Sequence, residues 1–345
     1  MKIRLSILLI AFLIGVTSRA ADDDISRPTQ PAMDRAATYN SEQRGQSLVV
    51  VFNGDRIFER YDNNGGAERL QMLASGTKSF VGIAAAAAVE DGILRLDDAV
   101  SGSITEWKDD SEKEHITYRQ LLTLTSGLKA SERGFSKIQP AWSDLADGPM
   151  TGKPTEQFNY GANQLNVFAF ALERLLQTET FEGYLNRRVL DPLDISIEWR
   201  VRCSDGHPQV GGGAFIKSND WATFGEFVRL RGKRGEVQVI NSEFLADCFR
   251  GTAANPAYGQ TWWLKQPVST DTLEEISILK SEWGDVANSE WIPNDLVAAL
   301  GAGKQRLYVI PSRKLVIVRQ ATLPNRGFSD IEFLSLLLRN QSVTE

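Results

Sequence analysis

The chain has 345 residues, of which 42% are hydrophobic and 24% charged, ordinary values for a globular protein with a large core in one big domain or two interleaved ones. A formal net charge of −6, a sequence pI near 5.3 and the lack of any block of Lys and Arg exclude a nucleic-acid backbone as partner. Two histidines and two cysteines, widely spaced, offer no metal-ligand pattern, and no cofactor motif is present.

Lys2 and Arg4 precede an apolar run from Leu5 to Val16, which is followed by Ser18-Arg19-Ala20. The run is too short to span a bilayer comfortably, so residues 1–20 read as a cleaved secretory signal, with a retained anchor as the alternative. Cleavage would remove Lys2, Arg4 and Arg19 and take the net charge from −6 to −9. The reading places the mature protein in the periplasm or outside the cell, with no stable membrane span. Residues 21–44, with Asp22-Asp23-Asp24, Pro28 and Pro31, read as a flexible lead-in.

Ser47 to Phe52 predicts a strand, Asn53-Gly54-Asp55 a tight turn, and Arg56 to Tyr61 the hairpin partner. Ser75 to Asp91 predicts a helix ending before Gly92. Its body, Phe80, Val81, Ile83 and the run Ala84 to Ala88, is apolar nearly all round, which makes it a buried helix. A helix-rich middle follows, with segments at Tyr118–Leu124, Leu165–Leu176, Trp221–Leu230 and Phe244–Phe249. Tyr258–Leu264, Arg306–Ile310 and Leu315–Arg319 read as strands, and a last helix is expected from about Asp330 to Leu338. The pattern predicts an α+β fold: an antiparallel sheet from about 45–70 and 255–345 flanked by helices, with a mainly helical region, about 95–250, inserted between. In an exported protein Cys203 and Cys248 pair as one disulfide or stay as buried thiols; spacing does not decide.

No Gly-x-Ser-x-Gly elbow exists. His115 precedes a short helix and His207 lies in the loop SDGHPQVGGG, so each reads as solvated or structural rather than as the base of a triad. Lysine is the other activator of serine. Ser-x-x-Lys sets the two side chains at i and i+3 on one helical face, where a lysine made neutral by burial takes the hydroxyl proton. The motif occurs as Ser75–Lys78, Ser126–Lys129 and Ser277–Lys280, and only Ser75 opens a long apolar helix able to desolvate its lysine. A serine there also gains from free helix N-terminal N–H groups.

Residues 73–80 (LASGTKSF), 92–98 (GILRLDD) and 116–128 (ITYRQLLTLTSGL), in that order, resemble the class C β-lactamase and penicillin-binding-protein-like serine hydrolases. That family includes β-lactamase-related esterases, D-aminopeptidases, DD-peptidases and nylon-oligomer hydrolases. The resemblance covers about residues 45–340 and implies a β-lactamase/DD-peptidase-like fold and an acyl-enzyme on Ser75 without a cofactor. Leu124 stands where the family's LLTHTSGL string has His. The family's second element is a tyrosine that shares the base role. Tyr61 and Tyr184 lie in Tyr-x-Asn triplets without the right context, so the match is Tyr160 in Phe158-Asn-Tyr-Gly-Ala-Asn163, with Asn163 displaced by one residue from the substrate-holding position. The third element, Lys-Thr-Gly or His-x-Gly, is missing; Gly301-Ala302-Gly303-Lys304 stands in its place, as an oxyanion-binding strand or as a structural bulge. There Lys304 is the candidate to replace the family's cation for a substrate carboxylate. Gly211-Gly212-Gly213 reads as a tight loop, and Trp262-Trp263 puts at most one indole on the site, since neighbours on a strand face opposite ways.

The sequence reading is therefore an exported serine hydrolase acting on a small ester, amide or peptide, with Ser75, Lys78 and Tyr160 as its chemistry and Gly301, Gly303, Lys304 and Asn163 around the substrate. The alternatives are a D-amino-acid peptidase, a weak β-lactamase, or a penicillin-binding or sensor-like protein that acylates without efficient turnover.

Overall fold

The computed structural model describes residues 27–130, 139–323 and 327–339. The signal expected at residues 1–20 lies outside these, and no helix among the described residues is long and apolar enough to cross a membrane. The lead-in reading needs correction from residue 30 onward, where α1 (Gln30–Glu42) forms. Thr29 caps α1 by accepting from the Ala32 N–H at 3.3 Å, Pro31 sits in its first turn, and Ala32, Met33, Ala36 and Ala37 make a buried stripe. With Met33 as the only large apolar residue in that stripe, the composition looks polar while the buried face is small and real.

Strands β1 (Gly45–Phe52) and β2 (Asp55–Tyr61) form the expected hairpin. Three short strands follow, β3 (Gln71–Met72), β4 (Glu198–Trp199) and β5 (Ala214–Ile216), joined in a small sheet ordered β3-β5-β4. A surface hairpin pairs β6 (Lys233–Arg234) with β7 (Val237–Gln238). The last strands are β8 (Trp263–Leu264), β9 (Val297–Gly301), β10 (Gln305–Ile310) and β11 (Leu315–Ala321). The main sheet is antiparallel and ordered β2-β1-β11-β10-β9-β8, so both ends of the chain build it. β1 and β11 are buried along nearly their whole length, which their runs of Val, Leu and Ile satisfy in the middle of a sheet covered on both faces. The strand expected over Tyr258–Leu264 is shorter, because Thr261 takes φ +68° and only Trp263–Leu264 joins the ladder. β9 was not foreseen as a separate strand.

Alternation along β10 shows the layers. Leu307 faces the helix Ser218–Arg229, where Gly225 lets the two surfaces close, while Tyr308 faces the other way and stacks on Phe333 of the helix Asp330–Leu338 at 6.1 Å between ring centres. The Ala-rich helix α2 (Lys78–Glu90) packs beyond Ser218–Arg229, with Phe80 stacked on Phe224 at 4.1 Å. Every residue of α2 from Lys78 to Ala88 is buried. Cys203 and Cys248 are buried free thiols.

Behind the β9–β10 turn lies a buried ion cluster. Arg306, fully buried, donates to Asp330 at 2.6 Å and to Glu282 at 2.9 Å, and the Tyr308 hydroxyl donates to Asp330 at 2.6 Å. The Arg306 and Lys304 charges and these hydrogen bonds hold the Asp330 carboxyl below its ordinary range even though burial opposes this. Asp330→Ala would leave the guanidinium with the Gly301 and Gln305 carbonyls and, as its one carboxylate among the described residues, the partly exposed Glu282. The expected loss is about 3 kcal/mol of stability, read as a lower midpoint in urea denaturation.

Candidate active site

β3 delivers the chain to Ser75 through a strained turn. The Leu73 N–H donates to the Ala214 carbonyl of β5 at 2.9 Å, and Ala74 then adopts φ +48°, the left-handed region that residues with a Cβ avoid. The Thr77 hydroxyl holds this conformation by donating to the Ala74 carbonyl at 2.7 Å while accepting from the Ala214 N–H at 3.3 Å. Ser75 therefore sits on a 3₁₀ turn, Ala74–Thr77, that runs straight into α2. Its neighbours Ala74, Gly76 and Thr77 are buried, and Ser75 is partly exposed. The turn leaves one hydroxyl partly open to the surface.

Lys78, the first residue of α2, is 3% exposed. Its Nζ lies 2.9 Å from Ser75 Oγ and donates to the Gly211 carbonyl at 2.6 Å. No carboxylate among the described residues pairs with it. Burial alone pushes the amine down to about 7, so a large fraction is neutral at neutral pH. Tyr160 completes the group, with Lys78 Nζ 5.0 Å from its ring centre. Burial pushes its phenol up to about 12, against hydrogen bonds with Ser75 and Trp263 that pull it down. Phe158, Tyr258 and Trp263 pack around Tyr160 with ring centres 6.1, 6.0 and 5.6 Å away. Trp262 points the opposite way, against Phe224 and Phe249, so one indole of the pair reaches the site.

The structure brings Ser75, Lys78, Tyr160 and Gly301 together. A Cβ on Gly301 would lie 1.9 Å from the Leu73 carbonyl oxygen and 3.1 Å from the Gly76 nitrogen, so the end of β9 presses on the Ser75 turn as only glycine allows. Gly301→Ala is expected to wedge β9 away from that turn and to lower the rate of any reaction at Ser75 about a hundredfold, checked by comparing the kinetics of Ser75 labelling in wild type and variant.

The other three surrounding residues depart from expectation. Gly303, at φ +77°, shapes the β9–β10 turn, and its nearest neighbours are Leu323 and Gln305, so Gly301 rather than Gly303 adjoins the nucleophile turn. Lys304 is no free cation for a substrate carboxylate: its amine donates to Glu282 at 2.9 Å and lies 3.7 Å from Asp330. Asn163 opens the helix Asn163–Leu176 and donates its amide to the Lys129 carbonyl at 3.1 Å, a contact that pins a loop.

Gly211 is the contact that sequence reasoning missed. Its loop is pinned by the Val210 N–H donating to Asn166 Oδ1 at 3.1 Å, and a Cβ on Gly211 would fall 2.4 Å from that of Ala162. The triple glycine thus does more than make a turn: it lets a carbonyl reach the Lys78 amine. Of the rival motifs, Ser126 spends its hydroxyl on Gln164 at 2.6 Å, and Lys129 and Lys280 are exposed. His115 is exposed, whereas His207 stacks on Trp142 at 4.3 Å and meets Glu173 at 3.1 Å, both far from base duty toward Ser75.

A sequence profile of the beta-lactamase family matches residues 33–332. The chain belongs to the beta-lactamase family. Protein flp of Staphylococcus aureus (strain NCTC 8325 / PS 47) is 28% identical over 169 residues, 44% of this chain and 34% of that protein, so the match spans about a third of the curated relative's length. The solved structure of EstCE1, a hydrolase with promiscuous acyltransferase activity, superposes with a TM-score of 0.69 at 17% identity, covering 89% of this chain and 97% of that one. A penicillin-binding protein homologue from Caulobacter crescentus gives 0.67 at 13% identity, covering 90% and 97%. This beta-lactamase-family chain shares its fold with both.

Proposed function

We propose that the chain hydrolyses an ester or amide through an acyl-enzyme on Ser75. The neutral Lys78 amine takes the Ser75 proton as Oγ attacks the carbonyl carbon, and Tyr160, packed beside the Lys78 amine, shares the proton and hands it to the leaving group. The Ser75 N–H at the mouth of the helical turn and the backbone at the end of β9, near Gly301, stabilise the oxyanion. Loss of the leaving group gives the acyl-Ser75 ester, and a water deprotonated by the same pair releases the acid. The observation that carries this reading is Lys78 Nζ, buried without a counter-charge, 2.9 Å from Ser75 Oγ.

The aromatic wall of Phe158, Tyr160, Tyr258 and Trp263 favours an apolar acyl or leaving group, and the pairing of Lys304 with Glu282 argues for an ester above a carboxylate-bearing β-lactam. The test is a panel of p-nitrophenyl esters, D-amino-acid anilides and a chromogenic cephalosporin, run beside labelling with a fluorophosphonate. The expected result is multiple turnover of the short-chain esters and a single label on the peptide containing Ser75. Labelling without turnover would make the chain an acyl acceptor only; a label on another residue would overturn the assignment. We propose export as well, from the basic start and apolar run of residues 1–20, and N-terminal sequencing of the mature protein checks it.

A further inference from the structure

A groove of about 480 Å³ opens where the chain leaves β8, within the size range of small-ligand sites. Its floor is apolar, formed by Val228, Leu245, Phe249, Leu264 and Leu296, and Lys265 lines it at 3% exposure. The Lys265 ammonium has three donors but one acceptor, Asn294 Oδ1 at 3.3 Å. The nearby Asp295 is already committed, accepting from the Ser312 N–H and hydroxyl at 2.6 and 2.7 Å, while Glu243 and Arg231 on the rim are exposed and of opposite charge.

The contrast with the rest of the fold is informative. Three lysines among the described residues are buried. Lys113 lies 3.6 Å from Asp110, whereas Lys78 and Lys265 have no carboxylate within 4.0 Å. An unpaired buried cation costs stability, so its retention beside an apolar cavity calls for an anion with an apolar body.

We propose that this groove binds a monocarboxylate with an apolar tail, the carboxylate on Lys265 and the tail over the Val228–Leu245–Phe249 floor. Burial already holds the Lys265 amine below its ordinary range, and a bound carboxylate supplies the missing counter-charge. The site is separate from Ser75 yet shares its scaffold. Trp263 packs on Tyr160 and the next two residues line the groove, while β9 runs from Val297 in the groove to Gly301 at the nucleophile turn, roughly 13 Å along the strand. The inference does not depend on the acyl-transfer reading.

Titration calorimetry with sodium octanoate tests it, with octan-1-ol as the uncharged comparator, on wild type, Ser75→Ala and Lys265→Met. Octanoate should bind wild type and Ser75→Ala equally and Lys265→Met at least about tenfold more weakly, the loss of one charge-assisted contact. Octan-1-ol should not distinguish the proteins. Methionine keeps the apolar stem and removes a desolvated charge, so the variant is expected to fold; Lys265→Gln serves as a second variant read the same way. Equal octanoate affinity in wild type and both Lys265 variants, or no saturable binding by wild type, overturns the proposal.

Discussion

Ser75→Ala is expected to lose at least about ten-thousand-fold in turnover of every substrate that wild type hydrolyses, with its melting temperature nearly unchanged. The asymmetry follows from the turn. Ser75 is partly exposed and its hydroxyl meets only Lys78 and Tyr160, so the backbone strain at Ala74 and the Thr77 bonds that hold the turn do not depend on it. Progress curves and fluorophosphonate labelling on matched preparations read the loss directly. Turnover that survives in Ser75→Ala would move the nucleophile to another residue.

Lys78→Met should lower kcat/KM by about a thousandfold and, in contrast, stabilise the protein at low pH. The active form of Lys78 is the neutral one, and its folded-state value is about 7. Wild-type kcat/KM is therefore expected to rise about tenfold per pH unit below that value and to level off above it, with Tyr160 still protonated because its phenol is pushed up to about 12. The stability effect has the matching sign. A lysine whose folded value is depressed binds fewer protons in the folded than in the unfolded state between about 7 and 10.5, so wild-type stability climbs with pH across that window. Below it the whole burial penalty, on the order of 5 kcal/mol, is present. Lys78→Met removes that penalty and should melt above wild type at pH 6, with the gap closing by pH 10. Thermal melts at the two pH values measure it, and a variant no more stable than wild type at pH 6 would mean that the amine is not desolvated.

Much of the fold was legible because its signals are local and repeat. The all-buried β1 and β11 read as runs of Val, Leu and Ile, and α2 read as a helix apolar on every side. What escaped was structure whose stabilisation comes from elsewhere. α1 presents alanines to the sheet rather than large apolar residues, and β9 pairs with β10 through Gly301 opposite Gln305 in a stretch too short to show a period. At the site, Ser75 and Lys78 were separable from the two decoy motifs because only α2 buries its lysine. The Gly211 carbonyl was invisible because a backbone oxygen leaves no side-chain signature, and it meets Lys78 across 133 positions. Lys304 was misjudged for the same reason: Glu282 and Asp330, which hold it, are brought near only by the fold.

The central ladder has one more implication, for biogenesis. β1 lies between β2 and β11, and the Ser47 hydroxyl bonds to Gln320 across 273 positions of sequence. A ribosome completes the first strand long before its neighbour exists, so the Val49–Val51 segment stays unpaired on one edge until almost the whole polypeptide has emerged. Folding can begin in the middle but closes only with the last strand, a slow, non-local step. Until then the chain carries an open β-edge, the state in which strand addition from another chain competes with folding.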